Sequence, residues 1–259
     1  MKICVVGGLG RMGSLVREVT RTSERFEQRF EVASILDRTD GNISEPGLNG
    51  IKITDDVIDA FADIHGVVDF SAPAACCRTL PIAVDRGIPY LLASTGLAPE
   101  HYGTIDMAAK AIPLLVAANC SLGVNLLYGL VAKAAAALPD FDMEIFEIHH
   151  RHKRDAPSGT AKYLGEAVVE GRKEQGVAHT WGRVGLSEGR QKEEVGYAAL
   201  RGGSVPGDHT VYLFGEDERL ELTHQAQSPR IFAEGALSAL GWLADKEADL
   251  YGMRDLFSF

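Results

Sequence analysis

No stretch of this chain approaches the roughly 20 consecutive apolar residues that a membrane-spanning helix needs, and no basic, apolar leader precedes its first β-rich run. Neither a transmembrane nor a secreted protein is expected. Cysteine is scarce: there are four, at 4, 76, 77 and 120, none in Cys-x-x-Cys spacing. That excludes zinc-ribbon and dithiol-redox motifs, and the adjacent pair at 76 and 77 is poorly placed for a disulfide. Reduced thiols in a cytoplasmic protein are the expectation. Excess positive charge is missing as well, with 26 Lys and Arg against 36 Asp and Glu and a net charge of −10. Such a balance disfavours nonspecific binding to nucleic acid or to an anionic membrane. Nothing is repeated or low in complexity. What remains is a 259-residue globular chain, 46% apolar, long enough for one large domain or two smaller ones.

Against this acidic background one stretch stands out. Residues 149–154 read His-His-Arg-His-Lys-Arg, followed by Asp155-Ala156-Pro157 and then Ser158-Gly159-Thr160-Ala161 at the start of a helical pattern. So many like charges repel one another unless an anion joins them. Small residues at a helix start expose backbone N–H groups that bind carboxylate or phosphate. Two anion-binding devices therefore lie side by side, with imidazoles and an ammonium able to move protons between them. The pattern points to an active site for a small anionic substrate. Taken singly, the basic run also reads as a solvated loop, and Ser158-Gly159-Thr160 as a plain helix cap. No metal site is expected, because Arg151, Lys153 and Arg154 repel a dication and no Cys, Asp or Glu stands at ligand spacing beside the histidines.

The chain begins with a β-rich run, 2–6, that leads into Gly7-Gly8-Leu9-Gly10-Arg11-Met12-Gly13. Gly8, Gly10 and Gly13 fit G-x-G-x-x-G, and 12–22 has a helical apolar face of Met12, Leu15, Val16 and Val19. Strand, glycine turn and helix in that order are what a dinucleotide fingerprint requires. A second strand, 30–36, ends in Asp37-Arg38, where the adenine ribose is read; Asp37 can also be read as a turn cap. Beyond a polar loop at 39–50 and a helix cap at 54–56, strands at 66–71, 89–93 and 112–118 alternate with helices at 73–86 and 99–110. Such alternation implies an α/β, doubly wound parallel sheet of Rossmann type. Ligands bind such sheets at the C-terminal ends of the strands, here the glycine turn, Asp37, Ser71, Ser94-Thr95-Gly96 and Asn119.

After Gly123 the grammar changes. A helix at 124–138 stops at Pro139, and a strand at 142–148 carries the basic cluster at its end. If that strand stays extended, His149 and His150 face opposite ways, so that only one serves the chemistry. A helix at 161–175 and a polar, glycine-rich region at 176–189 precede strands at 195–201, 209–214 and 219–227, the last two joined as a hairpin. A closing helix runs from 228–229 to 244. The expected domains are 1–121 with 229–259, a dinucleotide-binding domain, and 122–228, an α+β substrate and oligomerisation domain with an open mixed sheet.

The run from His149 to Lys153 followed by Asp155 to Ala161 resembles the signature of the 4-hydroxy-tetrahydrodipicolinate reductase (dihydrodipicolinate reductase) family. Gly10-Arg11-Met12-Gly13, Arg201-Gly202-Gly203, Gly207-Asp208-His209-Thr210 and Met253-Arg254-Asp255 resemble further family positions, so the similarity spans essentially the whole chain. The resemblance implies reduction of a cyclic, unsaturated dicarboxylate by NADH or NADPH in lysine and diaminopimelate biosynthesis. It implies His149 as proton donor and Lys153 as a second catalytic cation, with His150, Ser158, Gly159 and Thr160 on the substrate carboxylates. Cofactor contacts fall on Gly7, Gly8, Gly10, Arg11 and Met12, on Asp37 and Arg38, on Ala93, Ser94 and Thr95, and on Ala117, Ala118, Asn119 and Cys120. It also implies a homotetramer assembled through the open sheet.

Two positions depart from the family pattern: Ala93 begins a turn usually written Gly-Thr-Thr-Gly, and Cys120 follows Asn119 where Phe is common. Both lie on the cofactor side and bear on nicotinamide contacts. Physically, hydride delivery to a conjugated acceptor develops negative charge that a cation stabilises and an acid quenches. Another two-domain NAD(P) oxidoreductase acting on a dicarboxylate is the nearest rival. A non-catalytic NAD(P)-binding sensor would have no need of Lys153 or the Ser-Gly-Thr turn.

Overall fold

A computed structural model describes residues 1–26, 29–38, 48–173, 177–186 and 189–258. The polar loop expected at 39–50 and the glycine-rich region at 176–189 lie partly outside these residues. The chain divides into two compact units, 1–122 with 230–258, and 123–229.

The first unit is built from β1 (Lys2–Val6), α1 (Arg11–Thr22), β2 (Glu31–Leu36), β3 (Lys52–Thr54), α2 (Val57–Ala60), β4 (Val67–Asp69), α3 (Pro73–Asp85), β5 (Tyr90–Leu92), α4 (Pro99–Ala109) and β6 (Pro113–Val116). The chain then passes through α5 (Leu122–Ala137), β7 (Asp142–His149), α6 (Gly159–Arg172), β8 (Ala178–Thr180), β9 (Glu194–Arg201), β10 (Asp208–Phe214) and β11 (Arg219–Gln225). It closes with α7 (Arg230–Leu243), β12 (Asp249–Tyr251) and a 3-10 turn, Met253–Leu256.

Seven strands of the first unit form one sheet in the order β12-β6-β5-β4-β1-β2-β3, every pair parallel. Alternate residues of β1 serve opposite faces, as the period of two in a strand demands. Ile3 and Val5 pack with Val16 and Val19 of α1 and with Leu237 and Leu240 of α7. Cys4 and Val6 pack with Leu80 of α3 and Ile105 of α4. Short local signals set the helix starts. Pro73 and Pro99 stand in the first turns of α3 and α4, where a missing N–H costs nothing, and Asp56 caps α2 by accepting from Ile58 N at 2.7 Å. The parallel doubly wound expectation holds. Strands β3 and β12 were not foreseen, since three-residue edge strands carry too little alternation to register.

The second unit has a mixed sheet ordered β11-β10-β7-β9-β8. β10 pairs antiparallel with both β7 and β11, while β9 runs parallel to β7 and β8. The hairpin of β10 and β11 closes with Gly215 N donating to Glu218 O at 2.9 Å. Helices α5 and α6 cover one face, where Val124, Val131, Leu164 and Val168 meet Met143, Ile145, Val195 and Val211. Helix α6 begins at Gly159, two residues before the expected start, because Ser158 caps it, its hydroxyl accepting from Ala161 N at 3.2 Å. β8 lies inside the stretch expected to be irregular.

Candidate active site

In the first unit the C-terminal ends of the parallel strands gather the expected cofactor residues along one edge. Gly7 ends β1 in a left-handed backbone (φ 74°), and a Cβ there would sit 3.1 Å from the Ser71 backbone. A Cβ on Gly8 would meet the Ile35 side chain at 2.7 Å, and one on Gly13 would run into the backbone of Gly7 and Gly8. These glycines let α1 pack close on β1. Gly10 is the N-cap of α1, with no side-chain cap bond and no acid in the first turn. A helix start without a capping side chain leaves N–H groups and a positive dipole end for an anion, so this turn fits the pyrophosphate of a dinucleotide. Arg11 is exposed and Met12 half-buried beside it.

Asp37, just past β2, turns its carboxylate onto that turn: Oδ2 accepts from Leu9 N at 2.9 Å and Oδ1 from Arg38 N at 2.8 Å. Arg38 is exposed. The 93–95 turn is held from beneath by Asp69, wholly buried at the end of β4. Ala93 N donates to Asp69 O at 2.8 Å, and the Asp69 carboxylate accepts from Ser71 Oγ (2.6 Å) and from Tyr90 Oη (2.5 Å). Ser94 Oγ lies 3.4 Å from the same carboxylate. Burial raises the Asp69 pKa even though these donors oppose it. Asp69 and Tyr90 are residues that sequence reasoning passed over. Ala117 and Cys120 are buried, Ala118 and Thr95 exposed, and Asn119 Oδ1 accepts from Ser121 N at 2.8 Å. Burial pushes the Cys120 thiol up to about 12, so it packs as an uncharged side chain.

In the second unit the basic run separates by exposure. His149 is buried, 7% exposed, as the last residue of β7. His150 and Lys153 are half-buried, and Arg151, His152 and Arg154 are exposed. The alternation along β7 places Met143, Ile145, Glu147 and His149 on the covered face, so His149 and His150 do diverge. The loop beyond is pinned by Gly202 N donating to His149 O at 3.0 Å and by Arg151 N donating to Gly203 O at 3.3 Å. The Lys153 ammonium is 2.9 Å from Asp155 Oδ1, and this hydrogen bond holds the Asp155 carboxyl below its ordinary range.

Register brings in residues that local spacing could not. Glu147 stands directly opposite His209 on β10, and His149 opposite Arg201 on β9. Glu147 is 1% exposed. Its Oε1 accepts from Arg201 Nη2 at 2.8 Å and from Ser158 N at 3.1 Å. Its Oε2 lies 3.4 Å from His149 Nδ1 and 3.5 Å from His209 Nε2. Ser158 Oγ is 3.1 Å from His209 Nε2, so Ser158 is itself buried, with hydroxyl and N–H both engaged, while Gly159 is exposed and Thr160 half-buried. The rings of His149 and His209 meet edge-on, 5.0 Å apart. The Nε2 edge of His149 faces Gly207, where a Cβ would come within 2.9 Å.

Burial would raise the Glu147 pKa, but the adjacent His209 imidazole and the hydrogen bonds from Ser158 and Arg201 outweigh it and hold the group at about 2. Burial lowers His149 to about 4; Glu147 opposes this, whereas His209, Lys153 and Arg201 reinforce it. Contrary to the expectation that no acid stands at ligand spacing beside the histidines, Glu147, two residues before His149 and on the same face of β7, offers a ligand atom within 4.8 Å of those of His149 and His209. The Arg201 guanidinium on the same carboxylate already places a fixed positive charge there, which opposes a dication. The one signal in the sequence for Glu147 was a glutamate at a core position of an otherwise apolar alternation.

Two family models match in succession, "Dihydrodipicolinate reductase, N-terminus" over residues 1–120 and "Dihydrodipicolinate reductase, C-terminus" over 123–257. The chain is 40% identical to the 4-hydroxy-tetrahydrodipicolinate reductase of Methylocella silvestris, covering 99% of this chain and 96% of that one. With the same enzyme of Brucella abortus it shares 43% identity over 99% and 98% of the two chains. Its fold matches a dipicolinate-bound dihydrodipicolinate reductase from Paenisporosarcina sp. TG-14 with a TM-score of 0.80 over 99% of each chain, at 20% identity. With both halves matched in order and near-complete coverage at about 40% identity, the chain belongs to the dihydrodipicolinate reductase family.

Proposed function

We propose that His149 donates the proton and Lys153 supplies the fixed cation in the reaction of this family, the NAD(P)H-dependent reduction of 4-hydroxy-tetrahydrodipicolinate to tetrahydrodipicolinate. The reading is carried by one observation: a buried imidazole ends β7 against an ionised carboxylate, and an ammonium follows four residues on. When bound, the nicotinamide dinucleotide supplies the hydride. Gly7, Gly8, Gly10, Arg11 and Met12 would hold its pyrophosphate, and Asp37 with Arg38 its adenine ribose. Ala93, Ser94, Thr95, Ala117, Ala118, Asn119 and Cys120 would line the remainder of that strand edge.

The other roles belong to the second unit. In the free protein Asp155 neutralises Lys153, so a substrate carboxylate has to compete for the ammonium. His149 is neutral at pH 7, and the two carboxylates of a bound substrate raise its pKa by attraction. The acid is therefore made by substrate binding, with the transferable proton at Nε2. His150 and the start of α6 at Gly159 and Thr160 receive the carboxylates, and Ser158 shapes that turn from inside. We read the assembled enzyme as a cytoplasmic homotetramer with no nucleic-acid partner. Its four cysteines are free thiols, and the sheet face away from α5 and α6 carries exposed Leu200 and the stacked rings of Tyr212 and Phe214. No helix among the described residues is long and apolar enough to cross a membrane.

The test is steady-state kinetics with freshly generated enzymatic substrate, following nicotinamide absorbance, together with direct NADH titration. His149→Gln and Lys153→Met should each lower kcat by at least about 30-fold, within the range for a lost general acid or transition-state cation. NADH affinity should change by less than about threefold, and the double variant should be non-additive. A Lys153→Met enzyme with near-normal kcat, or one that loses NADH binding instead, would overturn the assignment.

A further inference from the structure

We infer that Glu147 is the positioning residue of the proton donor, deciding which ring nitrogen of His149 holds the resting proton and making its imidazolium attainable. The inference rests on the reading of His149 as the donor.

The two carboxylate oxygens of Glu147 have different duties. Oε1 takes both hydrogen bonds, from Arg201 Nη2 and Ser158 N. A buried carboxylate is costly unless such donors stabilise its charge, and these two keep it ionised. Oε2 accepts no hydrogen bond among the described residues and points at the imidazoles, 3.4 Å from His149 Nδ1. An ionised oxygen at that distance favours the tautomer with hydrogen on Nδ1 and disfavours a lone pair there. The bare Nε2 is left on the edge beside Gly207, which has room only because position 207 lacks a side chain. The resting imidazole is then an acceptor at Nε2. It becomes a donor there only after taking up a second proton.

Whether that second proton can be held depends on the charges around the ring. His209 faces it from β10, Arg201 from β9 and Lys153 from the loop after β7, and all three oppose a positive imidazole. Helix α6 contributes the neutral Ser158 hydroxyl on His209, and His209 in turn bears on His224 of β11. Glu147 is the one group named here that favours the imidazolium, and its charge is the largest influence raising the His149 pKa against burial. The carboxylate of a Ser-His-Asp triad does comparable work, orienting its histidine and stabilising the imidazolium without accepting the proton.

The decisive experiment compares pH profiles of kcat for the wild type, Glu147→Gln and Glu147→Asp. A donor histidine must be protonated in the complex, so kcat falls as pH rises through its pKa. Removing a unit charge 3.4 Å away should move that alkaline limb to lower pH by at least about one pH unit, the value for water's dielectric. At pH values above the wild-type limb kcat should fall by about tenfold, with NADH affinity within about threefold of wild type. Glu147→Asp, which keeps the charge, should keep the limb near its wild-type position. A folded Glu147→Gln enzyme with an unmoved limb would overturn the inference, because a purely structural glutamate would lower stability without shifting the profile. If His149→Gln leaves kcat intact, the donor assignment itself fails, whatever Glu147 does. Should Glu147→Gln not fold, 15N spectra of wild-type histidines at pH 7 decide: hydrogen on Nδ1 of His149 is expected, and hydrogen on Nε2 refutes.

Discussion

Replacing His149 by glutamine should make the protein less sensitive to mild acid, even as it removes activity. Burial lowers the His149 pKa to about 4, against 6.5 for the unperturbed group. Between these values the unfolded chain binds a proton that the folded chain refuses, so stability is complete above pH 6.5 and declines as pH falls toward 4. For one group with these constants, lowering pH from 7 to 5 costs about 2 kcal/mol of folding free energy. The ring is 7% exposed, so solvent screening takes little from this figure. Glu147, held at about 2 against an ordinary 4.5, titrates below that window and does not interfere. His224, also lowered, chiefly by burial, contributes equally to both proteins and cancels. Urea unfolding at pH 7 and pH 5, at one fixed chain concentration, measures the effect. The wild type should lose about 2 kcal/mol more than His149→Gln, a difference in midpoint shift of roughly 1 M urea. Equal losses in the two proteins would refute the claim that burial keeps His149 neutral.

Other outcomes follow from the nucleotide edge and the open sheet. Asp37 opposes a 2′-phosphate while the adjacent, exposed Arg38 can pair with one, so both cofactors should bind with NADH used at least as well, and a kcat/KM preference for NADPH above about tenfold, roughly 1.4 kcal/mol, would refute this. Gly13→Ala would force a methyl into the backbone of Gly7 and Gly8. It should cost about 1–3 kcal/mol in thermal or chemical unfolding and weaken NADH binding in direct titration, whereas unchanged values for both would contradict the close-packing argument. Light scattering should return a mass near four chains, and a clean monomer at micromolar concentration would exclude the tetramer.

How much of this was legible in the residues depended on the range of the interaction. The first sheet follows from local grammar, because a parallel strand buried on both faces is a run of Val, Ile and Leu, and the glycine turn at 7–13 announces a backbone approach no other residue permits. The alternation along 142–149 already separated His149 from His150, since side chains in a strand must alternate. Three-residue strands such as β3, β8 and β12 carry no such period and are defined only by the neighbours they pair with. The partners of the candidate donor were hidden for the same reason. Glu147 meets His209 and Arg201 across 54 to 62 residues of chain because β10 runs antiparallel and β9 parallel to β7 in one particular register. Ser158 could be read from sequence as a cap, which it is, but not as a buried donor to Glu147. The sequence by itself therefore determined the fold class, the nucleotide turn and the reactive stretch, all properties of residues close along the chain. Tertiary structure alone decided the charge and tautomer environment of His149, because Coulomb and desolvation energies depend on distances in space that strand pairing, and not spacing, sets.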